Sequence, residues 1–300
     1  MDIVIPFVTC RDKVWMKSLL SFVDIYNSPQ DFQYTYFYDY GTLKYVLRGI
    51  DKFIPYVNNV FLVVSNIEQV PDYVDQSKVK IVLHKDFIPE EYLPTFQANT
   101  IELFMYNIPG LSEEFIYFND DTIPVSSIEY NDFFKDGLPC INFIENPPKY
   151  SKIFDCSFYE AMNTVRMCVD KTLNYNDKVL RPTHGPVPYL KSECLKAASY
   201  ERHNELLKFY TSTFRSQRNL NQFYWSDILY FLKKYYPSNI DVKYLTTREL
   251  DDTEFNNLSD NIKYICINDW GSDKYPMSKI IKTIEEKMND FFPNKCIYEI

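Results

Sequence analysis

Phe115-Ile-Tyr-Phe-Asn-Asp-Asp121 is an apolar run that stops on three side chains carrying oxygen donors. The run has the composition of a buried strand, and ligands of open α/β sheets bind beyond the carboxyl ends of such strands. Carboxylate and amide oxygens are the ligands that Mg²⁺ and Mn²⁺ prefer. The stretch therefore predicts a strand that delivers Asn119, Asp120 and Asp121 to a divalent-cation site. A polar turn with N-capping aspartates is the alternative that this triplet alone leaves open.

Strand and helix patterns alternate on both sides of this run. Strands are predicted at 3–8, 60–64, 79–83, 115–118 and 263–267, and helices at 13–26, 42–53, 98–106, 158–169, 189–198, 222–234 and 278–291. The alternation predicts an α/β fold with a Rossmann-like sheet flanked by helices. No repeat or low-complexity linker divides the chain, so 1–300 is predicted to be a single catalytic domain. The less regular stretch 125–182 is predicted to be a mainly helical insertion or lid.

Composition limits the classes of function. With 300 residues and 46% hydrophobic content the chain can bury a sizeable core, and its net charge of -9 argues against a nucleic-acid partner. The seven cysteines are scattered without a CxxC pair, so neither a disulfide framework nor a zinc knuckle is predicted. No basic start and no membrane-length apolar run is present, which predicts a cytoplasmic protein. Peripheral attachment to the inner face of a membrane and the oligomeric state are left open.

A second strand also ends on an Asn-Asp pair. The predicted strand 263–267 stops at Asn268-Asp269, which repeats the junction at Asn119-Asp120. If the two strands are neighbours, their ends converge at one sheet edge and supply Asp120, Asp121, Asn268 and Asp269 as metal ligands. A helix-capping turn is the alternative for the second pair.

Several stretches, taken in order, resemble one protein family. They are Asp2-Ile-Val-Ile-Pro-Phe-Val8, Tyr38-Asp-Tyr-Gly-Thr-Leu-Lys-Tyr-Val-Leu-Arg-Gly-Ile50, Lys52-Phe-Ile-Pro-Tyr-Val57, His84-Lys-Asp-Phe-Ile-Pro89, Leu93-Pro-Thr-Phe96, Ile101-Glu102, the opening run, Thr183-His-Gly-Pro-Val-Pro-Tyr-Leu-Lys-Ser192, Phe214-Arg-Ser-Gln-Arg-Asn-Leu-Asn-Gln222 and Cys266-Ile-Asn-Asp269. Together they resemble the Stealth family of sugar-phosphate transferases, which includes bacterial capsule hexose-1-phosphate transferases and the lysosomal N-acetylglucosamine-1-phosphotransferase. The first loop departs from the family, because Thr9, Cys10 and Arg11 stand within its usual Asp-Gly-Ser-Asp segment.

The resemblance implies a glycosyltransferase-A-like mixed sheet and a phosphotransferase of capsule or cell-surface polysaccharide synthesis. Such an enzyme moves a hexose-1-phosphate from a nucleotide diphosphate sugar, expected to be UDP-linked, to a glycan hydroxyl. The product is a phosphodiester, and the nucleoside monophosphate leaves. Two alternatives stay open: a metal-dependent glycosyltransferase that moves the sugar alone, and a non-catalytic glycan-binding protein whose many aromatic rings serve as sugar platforms.

The resemblance assigns the catalytic roles to three residues. His184 lies in a Gly- and Pro-rich loop and is expected to accept the proton of the acceptor hydroxyl or to bind a phosphoryl oxygen. Asp121 is expected to bind Mg²⁺ or Mn²⁺, and an aspartate of the metal site is the alternative base. Arg215 is expected to balance the diphosphate charge, since guanidinium groups suit phosphate oxygens.

Four further residues are assigned to substrate binding. They are Asp39, Arg48, Arg218 and Asn119. Surface salt bridging is the alternative for Arg218, and a structural ion pair, for example with Asp39, is the alternative for Arg48. Of the two remaining histidines, His84 is expected to position a loop and His203 to be a solvated surface residue.

Overall fold

The structure is a computed structural model that describes residues 1–26, 37–145, 180–200, 203–214, 223–247, 258–268 and 275–300. In these ranges the strands are β1 (Asp2–Pro6), β2 (Asn59–Val64), β3 (Val79–Leu83), β4 (Glu114–Tyr117), β5 (Thr122–Pro124), β6 (Phe134–Lys135), β7 (Leu138–Ile141), β8 (Phe143–Glu145), β9 (Leu180–Pro182), β10 (Val187–Leu190), β11 (Tyr236–Pro237), β12 (Asp241–Thr246) and β13 (Ile262–Asn268). The helices are α1 (Lys13–Tyr26), α2 (Thr42–Phe53), α3 (Ala98–Phe104), α4 (Tyr130–Phe133), α5 (Lys191–Ala198), α6 (His203–Tyr210), α7 (Phe223–Phe231) and α8 (Met277–Phe291).

A five-stranded sheet in the order β10-β4-β1-β2-β3 forms the centre of the fold. The strands β4, β1, β2 and β3 are parallel, and β10 pairs antiparallel with β4. Along β1, Ile3 and Ile5 pack into one core cluster and Val4 packs into the opposite one. Both faces are therefore buried, which explains why these strands are nearly continuous apolar runs.

Different helices cover the two faces of this sheet. Helices α2 and α8 pack on the face of Ile3 and Ile5, and α3, α5 and α7 pack on the face of Val4. Helix α1 packs into a smaller aromatic cluster around Trp15. The prediction of an α/β fold with a mixed sheet flanked by helices is confirmed.

A second, three-stranded sheet has the strand order β12-β13-β5. β5 follows β4 after only four residues and pairs antiparallel with β13, with Thr122 opposite Cys266. Helix α2 packs closely on β5, and glycine at position 49 permits this approach. A Cβ atom there would lie only 2.6 Å from the carbonyl oxygen of Pro124. Helix α2 therefore lies against the end of β5, the strand that follows the Asn119–Asp121 turn.

The sequence predicted most of these elements. The bounds of α1, α2 and β3 match the prediction, whereas a helix predicted from Tyr189 was wrong at its start: Val187–Leu190 is an edge strand. The run Val187-Pro-Tyr-Leu190 pairs with β4, and this pairing overrides its weak helical pattern. The predicted helix 158–169 and most of the predicted insertion lie outside the described residues. Its described start, 125–145, contains one short helix and three short strands, and the division into domains stays a prediction.

Candidate functional site

The Asn119–Asp121 turn is fixed by backbone hydrogen bonds on both sides. Phe118 N donates to Val4 O at 2.9 Å, and Thr122 N donates to Asn119 O at 3.3 Å. Ile267 N, on the second sheet, donates to Asp121 O at 2.9 Å. The three polar side chains are half-buried at the carboxyl end of β4. The turn therefore lies where ligands of α/β sheets usually bind.

Strand β13 carries the second Asn-Asp junction to this turn. Thr122 pairs with Cys266, and Ile267 N donates to Asp121 O at 2.9 Å, so β13 runs past Asp121 to its last residue, Asn268. Asn268 is half-buried, and its carbonyl accepts a hydrogen bond from Thr247 N at 3.0 Å. The structure thus brings Asp120, Asp121 and Asn268 to one edge, while Asp269 lies outside the described residues.

His184 reaches the same edge from a short loop between β9 and β10. Thr183 N donates to Asn142 O at 2.9 Å, and Gly185 N donates to Thr183 O at 2.8 Å. A Cβ atom on Gly185 would collide with a methyl group of Val242 on β12, so glycine lets the loop lie against that strand. The His184 ring is half-buried and stands edge-on to Tyr244, with 5.3 Å between ring centroids.

Asp121, His184 and Cys266 form a cluster of three groups with metal-ligating atoms. One carboxylate oxygen, one imidazole nitrogen and the thiol sulfur all lie within 4.8 Å of one another. Burial raises the pKa of the Cys266 thiol well above its usual value, and the negative charge of Asp121 adds to that rise. The Thr122 hydroxyl donates to Asp121 Oδ1 at 3.2 Å.

A hydrogen-bonded chain leads from the core to His184. The Tyr117 hydroxyl lies 2.7 Å from Glu102 Oε1 and 2.5 Å from Asn119 Oδ1, and Asn119 Nδ2 lies 3.4 Å from His184 Nε2. Burial raises the pKa of Tyr117 well above its usual value, and the charge of Glu102 adds to the rise. The hydroxyl therefore keeps its single proton and can donate to only one of its two neighbours.

Asn119 links Tyr117 to His184. Its Oδ1 accepts a hydrogen bond from the Tyr117 hydroxyl, and its Nδ2 faces His184 Nε2, whose role as donor or acceptor depends on the tautomer of the ring. The amide therefore connects the imidazole to Tyr117 and Glu102 and orients the ring.

The donor set at the strand ends fits a divalent cation. The carboxylates of Asp120 and Asp121 and the amide of Asn268 are hard oxygen donors, which suit Mg²⁺ or Mn²⁺. The buried thiol of Cys266 does not suit such an ion. These oxygen donors fit the metal that the sequence predicts, and the metal role of each residue stays a prediction.

Arg48 belongs to a structural ion pair and not to the strand-end cluster. Its Nε and Nη2 donate to the two carboxylate oxygens of Glu299 at 2.6 and 2.8 Å, and Nη1 donates to Phe292 O at 2.7 Å. Its side chain is only 10% exposed. The structure thus shows the alternative that the sequence left open for Arg48, a structural ion pair, with Glu299 as the partner in place of Asp39. The guanidinium ties α2 to the C-terminal segment.

Asp39 shapes the loop before α2. Its Oδ1 accepts a hydrogen bond from Gly41 N at 2.7 Å, and Arg11 Nη1 lies 4.0 Å from Oδ2. Burial raises the pKa of Tyr73 above its usual value, and the charges of Asp39, Glu299 and Asp120 add to the rise. The negative charges of Asp39 and Asp120 therefore both raise the pKa of the Tyr73 phenol. The substrate role of Asp39 stays a prediction.

Some expected residues are placed differently, and others lie outside the described part of the chain. His203 is buried and its Nδ1 lies 2.8 Å from the Tyr224 hydroxyl, so the expectation of a solvated surface residue was wrong. The charged neighbours of His203 in the sequence suggested a polar helix, but its own face of α6 packs inward. Arg215 and Arg218 lie in the undescribed segment 215–222, and their roles stay predictions.

Sequence reasoning missed Glu102 and Tyr117 as members of the site. Glu102 is 4% exposed on a helix face that is otherwise apolar, and a carboxylate at such a position is the signal that would have pointed to it. Tyr117 gave no signal, because within an apolar strand it is indistinguishable from a core aromatic residue.

Comparisons with known proteins identify the family. Residues 36–140 match the profile described as "Stealth protein CR2, conserved region 2". The chain is 28% identical to "Capsular polysaccharide phosphotransferase WcwK" of Streptococcus pneumoniae, over 99% of this chain and 97% of that protein. It is 30% identical to "Capsular polysaccharide phosphotransferase cps1A" of Actinobacillus pleuropneumoniae, over 81% of this chain and 68% of that protein.

These relatives show that the chain is a transferase enzyme, and it belongs to the Stealth family. Among solved structures, galactosyltransferase LgtC in complex with donor and acceptor sugar analogs aligns with 94% of this chain and 96% of its own. The TM-score of that alignment is 0.43 at 11% identity. None of the helices in the described ranges combines the length and apolar character needed to cross a lipid bilayer.

Proposed function

We propose that this protein transfers a hexose-1-phosphate from a UDP-linked sugar to a hydroxyl group of a glycan, in the synthesis of a capsular or other cell-surface polysaccharide. The observation that carries the proposal is the meeting of Asp121 and His184 within one cluster, in a chain similar over almost its full length to a capsular polysaccharide phosphotransferase. A nucleotide sugar is a cytoplasmic metabolite, so the proposed place of action is the cytoplasm, at the inner face of the membrane.

The reaction forms one bond and breaks another at the same phosphorus atom. The acceptor oxygen bonds to the phosphorus that carries the sugar, and the bond from that phosphorus to the bridging oxygen of the diphosphate breaks. The acceptor proton passes to a base on the protein, and the nucleoside monophosphate leaves with the electron pair of the broken bond. Phosphoryl transfer of this kind depends on positioning and on charge stabilisation.

His184 is the base in this proposal. A neutral imidazole carries a lone pair on one ring nitrogen, and this lone pair accepts the proton of the acceptor hydroxyl. The chain through Asn119 and Tyr117 to Glu102 orients the ring. An aspartate of the strand-end turn is the alternative base.

Asp120, Asp121 and Asn268 would hold Mg²⁺ or Mn²⁺, and Asp269 is proposed as a further ligand. Such an ion supplies positive charge that neutralises the diphosphate and the departing nucleotide. Arg215 is proposed to add to that charge, and Arg218, Asn119 and Asp39 are proposed to contact the donor. The half-buried position of the turn limits water near the reacting phosphorus.

The released nucleotide tests the proposal. The protein is incubated with UDP-sugar, Mg²⁺ and a capsular glycan acceptor, and the nucleotide products are separated by chromatography. We expect UMP, and a donor labelled with ³²P in the sugar-bearing phosphate should pass its label to the glycan. Release of UDP with an unlabelled glycan would instead identify a glycosyltransferase that moves the sugar alone. Glycan binding without turnover of any nucleotide sugar would identify a binding protein.

A further inference from the structure

Cys266 gives the strand-end cluster a donor that the transfer reaction does not use. The thiol is fully buried on β13, and its sulfur lies within 4.8 Å of ligand atoms of Asp121 and His184. The three residues come from three separate segments of the chain, and backbone hydrogen bonds of Asp121 and of the neighbours of His184 hold two of these segments. A carboxylate, an imidazole and a thiol together form a softer donor set than the oxygen donors at the same edge.

We propose that Asp121, His184 and Cys266 form a binding site for a thiophilic divalent cation of the zinc class, which competes with the hard cation for Asp121. Sulfur, nitrogen and oxygen ligands in one cluster are typical of zinc, whereas Mg²⁺ selects oxygen. Three protein ligands with a fourth position open to solvent or substrate is an arrangement found in exchangeable zinc sites. The site takes the free ion and no organic ligand.

The spacing of the ligand atoms is close to that required. Tetrahedral zinc with bonds of about 2.0 Å to nitrogen or oxygen and about 2.3 Å to sulfur sets its ligand atoms roughly 3.3–3.5 Å apart. The observed limit of 4.8 Å therefore requires closure by about 1 Å or more at the widest pair, which rotation of the half-buried Asp121 and His184 side chains can provide. Cys266 is held in place by β13, the central strand between β12 and β5.

Neighbouring polar groups orient two of the ligands. Thr122 donates to Asp121 Oδ1 at 3.2 Å, and the Asn119 amide lies 3.4 Å from His184 Nε2. Such outer contacts fix the rotamer and tautomer of ligands at metal sites. When the cation binds, the Cys266 proton leaves to the buffer and the thiolate coordinates, because a bound cation reverses the effect of burial on a thiol.

Occupancy by such an ion takes Asp121 and His184 away from phosphoryl transfer. The site is therefore inhibitory, and this consequence rests on the proposed function. The binding itself does not, and it can be measured on protein that has no measurable transferase activity.

Cobalt is the probe for the test, because Co²⁺ substitutes for zinc and reports its ligands by absorbance. Metal-free wild-type protein is titrated with CoCl₂ while the near-ultraviolet thiolate-to-cobalt band is followed, and ZnCl₂ is then added to displace the cobalt. We expect one equivalent of Co²⁺ to give the band. In Cys266→Ala the band should disappear and affinity should fall by more than the roughly 10–100-fold loss typical of outer-contact changes. Cys194→Ala removes another buried thiol, which packs on α5 in the core cluster of Val4, and should leave the titration unchanged.

Two results would overturn the proposal: a wild-type cobalt complex without the thiolate band, or a band that persists in Cys266→Ala. If Cys266→Ala does not fold, His184→Ala supplies a second variant that should weaken the band, and a band of unchanged strength and affinity in that variant would overturn the proposal. Zinc should also suppress UMP release in the presence of excess Mg²⁺. A cobalt band in a protein that releases no UMP would sink the proposed function and leave the metal site standing.

Discussion

Asn119 Nδ2 lies 3.4 Å from His184 Nε2, which joins the end of β4 to the loop before β10 across 65 positions of the chain. The contact links the aspartate turn and the histidine, so the two halves of the proposed machinery are held in one arrangement. Behind Asn119, Tyr117 and Glu102 extend the connection into the core. Because β4 and β10 are neighbouring strands, a rigid sheet supports both ends.

Tyr117→Phe should lower kcat by roughly 10-fold with little change in the KM for the sugar donor, since the hydroxyl orients Asn119 and through it His184 without contacting substrate. The pH profile of kcat should shift, because the hydrogen-bonded chain that orients the His184 ring is broken. Tyr189→Phe is the matched control: Tyr189 is buried on the neighbouring strand, and its hydroxyl lies 3.1 Å from that of Ser226. An unchanged profile in Tyr117→Phe would remove the orienting role.

Asp121→Asn should reduce UMP release by at least about 100-fold, because the amide cannot supply the negative charge that holds a divalent cation on the diphosphate. The protein should stay folded, since Asp121 is half-buried and its backbone contacts with β13 are unaffected. Asp136→Asn removes the same charge at an exposed turn and should have no effect. Wild-type turnover in Asp121→Asn, with circular dichroism unchanged, would exclude Asp121 from the reaction.

Gly185→Ala should lower both stability and turnover, because the added Cβ collides with a methyl group of Val242 and displaces the His184 loop. The expected loss is about 1–3 kcal/mol in the free energy of unfolding, the usual cost of overpacking. Gly185→Ala/Val242→Ala should recover most of the activity, and Val242→Ala alone provides the reference. If the double variant is as impaired as Gly185→Ala, the collision is not the cause.

Glu299→Gln should lower the free energy of unfolding by about 3 kcal/mol, because it leaves the buried Arg48 guanidinium without its bidentate carboxylate. Glu285→Gln, which breaks an exposed pair with Lys44, should cost at most about 1 kcal/mol. Urea titration of both variants measures the difference.

The contribution of Glu299 to the free energy of unfolding should depend on pH in a defined direction. Burial raises the pKa of Glu299, but the hydrogen bonds from Arg48 and from the Cys296 backbone outweigh it, so the pKa is lowered. Its stabilising contribution is therefore complete above the ordinary value of 4.5 and is lost as the pH falls through the lowered pKa. The stability gap between wild type and Glu299→Gln should shrink on acidification, and a constant gap would contradict the ion-pair account.

His203 should make the protein less stable in mild acid. Burial lowers its pKa from 6.5 to about 4, so between these values the unfolded chain binds a proton that the folded protein does not. The free energy of unfolding should therefore decrease as the pH falls from 6.5 toward 4. His203→Phe should reduce that slope, measured by urea titration at pH 7, 6 and 5, whereas an unchanged slope would place the imidazole in water.

Local pattern predicted the elements that hold the site. Leu43, Val46, Leu47 and Ile50 repeat at helical spacing in α2, and its bounds matched the prediction because the buried stripe and the flanking Gly41 and Ile54 are all local features. The edge strand Val187–Leu190 was not predicted, since four residues carry no period that distinguishes a strand from the start of a helix. Its conformation is decided by pairing with β4, 70 residues earlier in the chain.

For the candidate site, too, the sequence predicted what is locally visible and failed where a tertiary contact decides. The sequence singled out Asp120, Asp121, His184 and Asn268, because their residue types and their places at strand ends or in a Gly- and Pro-rich loop are visible locally. A substrate role was also predicted for Arg48, whereas in the fold its guanidinium forms a buried ion pair with Glu299. A guanidinium finds its partner through tertiary contacts, and the partner here lies 251 positions away.

The sequence by itself determined the α/β class, the family and the chemical types gathered at the end of β4, because hydrophobic period and side-chain chemistry are properties of short segments. Only the tertiary structure decided that Asp121, His184 and Cys266 lie within 4.8 Å of one another and that Glu102 and Tyr117 stand behind Asn119. The physical reason is that strand pairing and packing set distances between residues far apart in the chain. The antiparallel register of β5 and β13 turned a scattered cysteine into a member of the site.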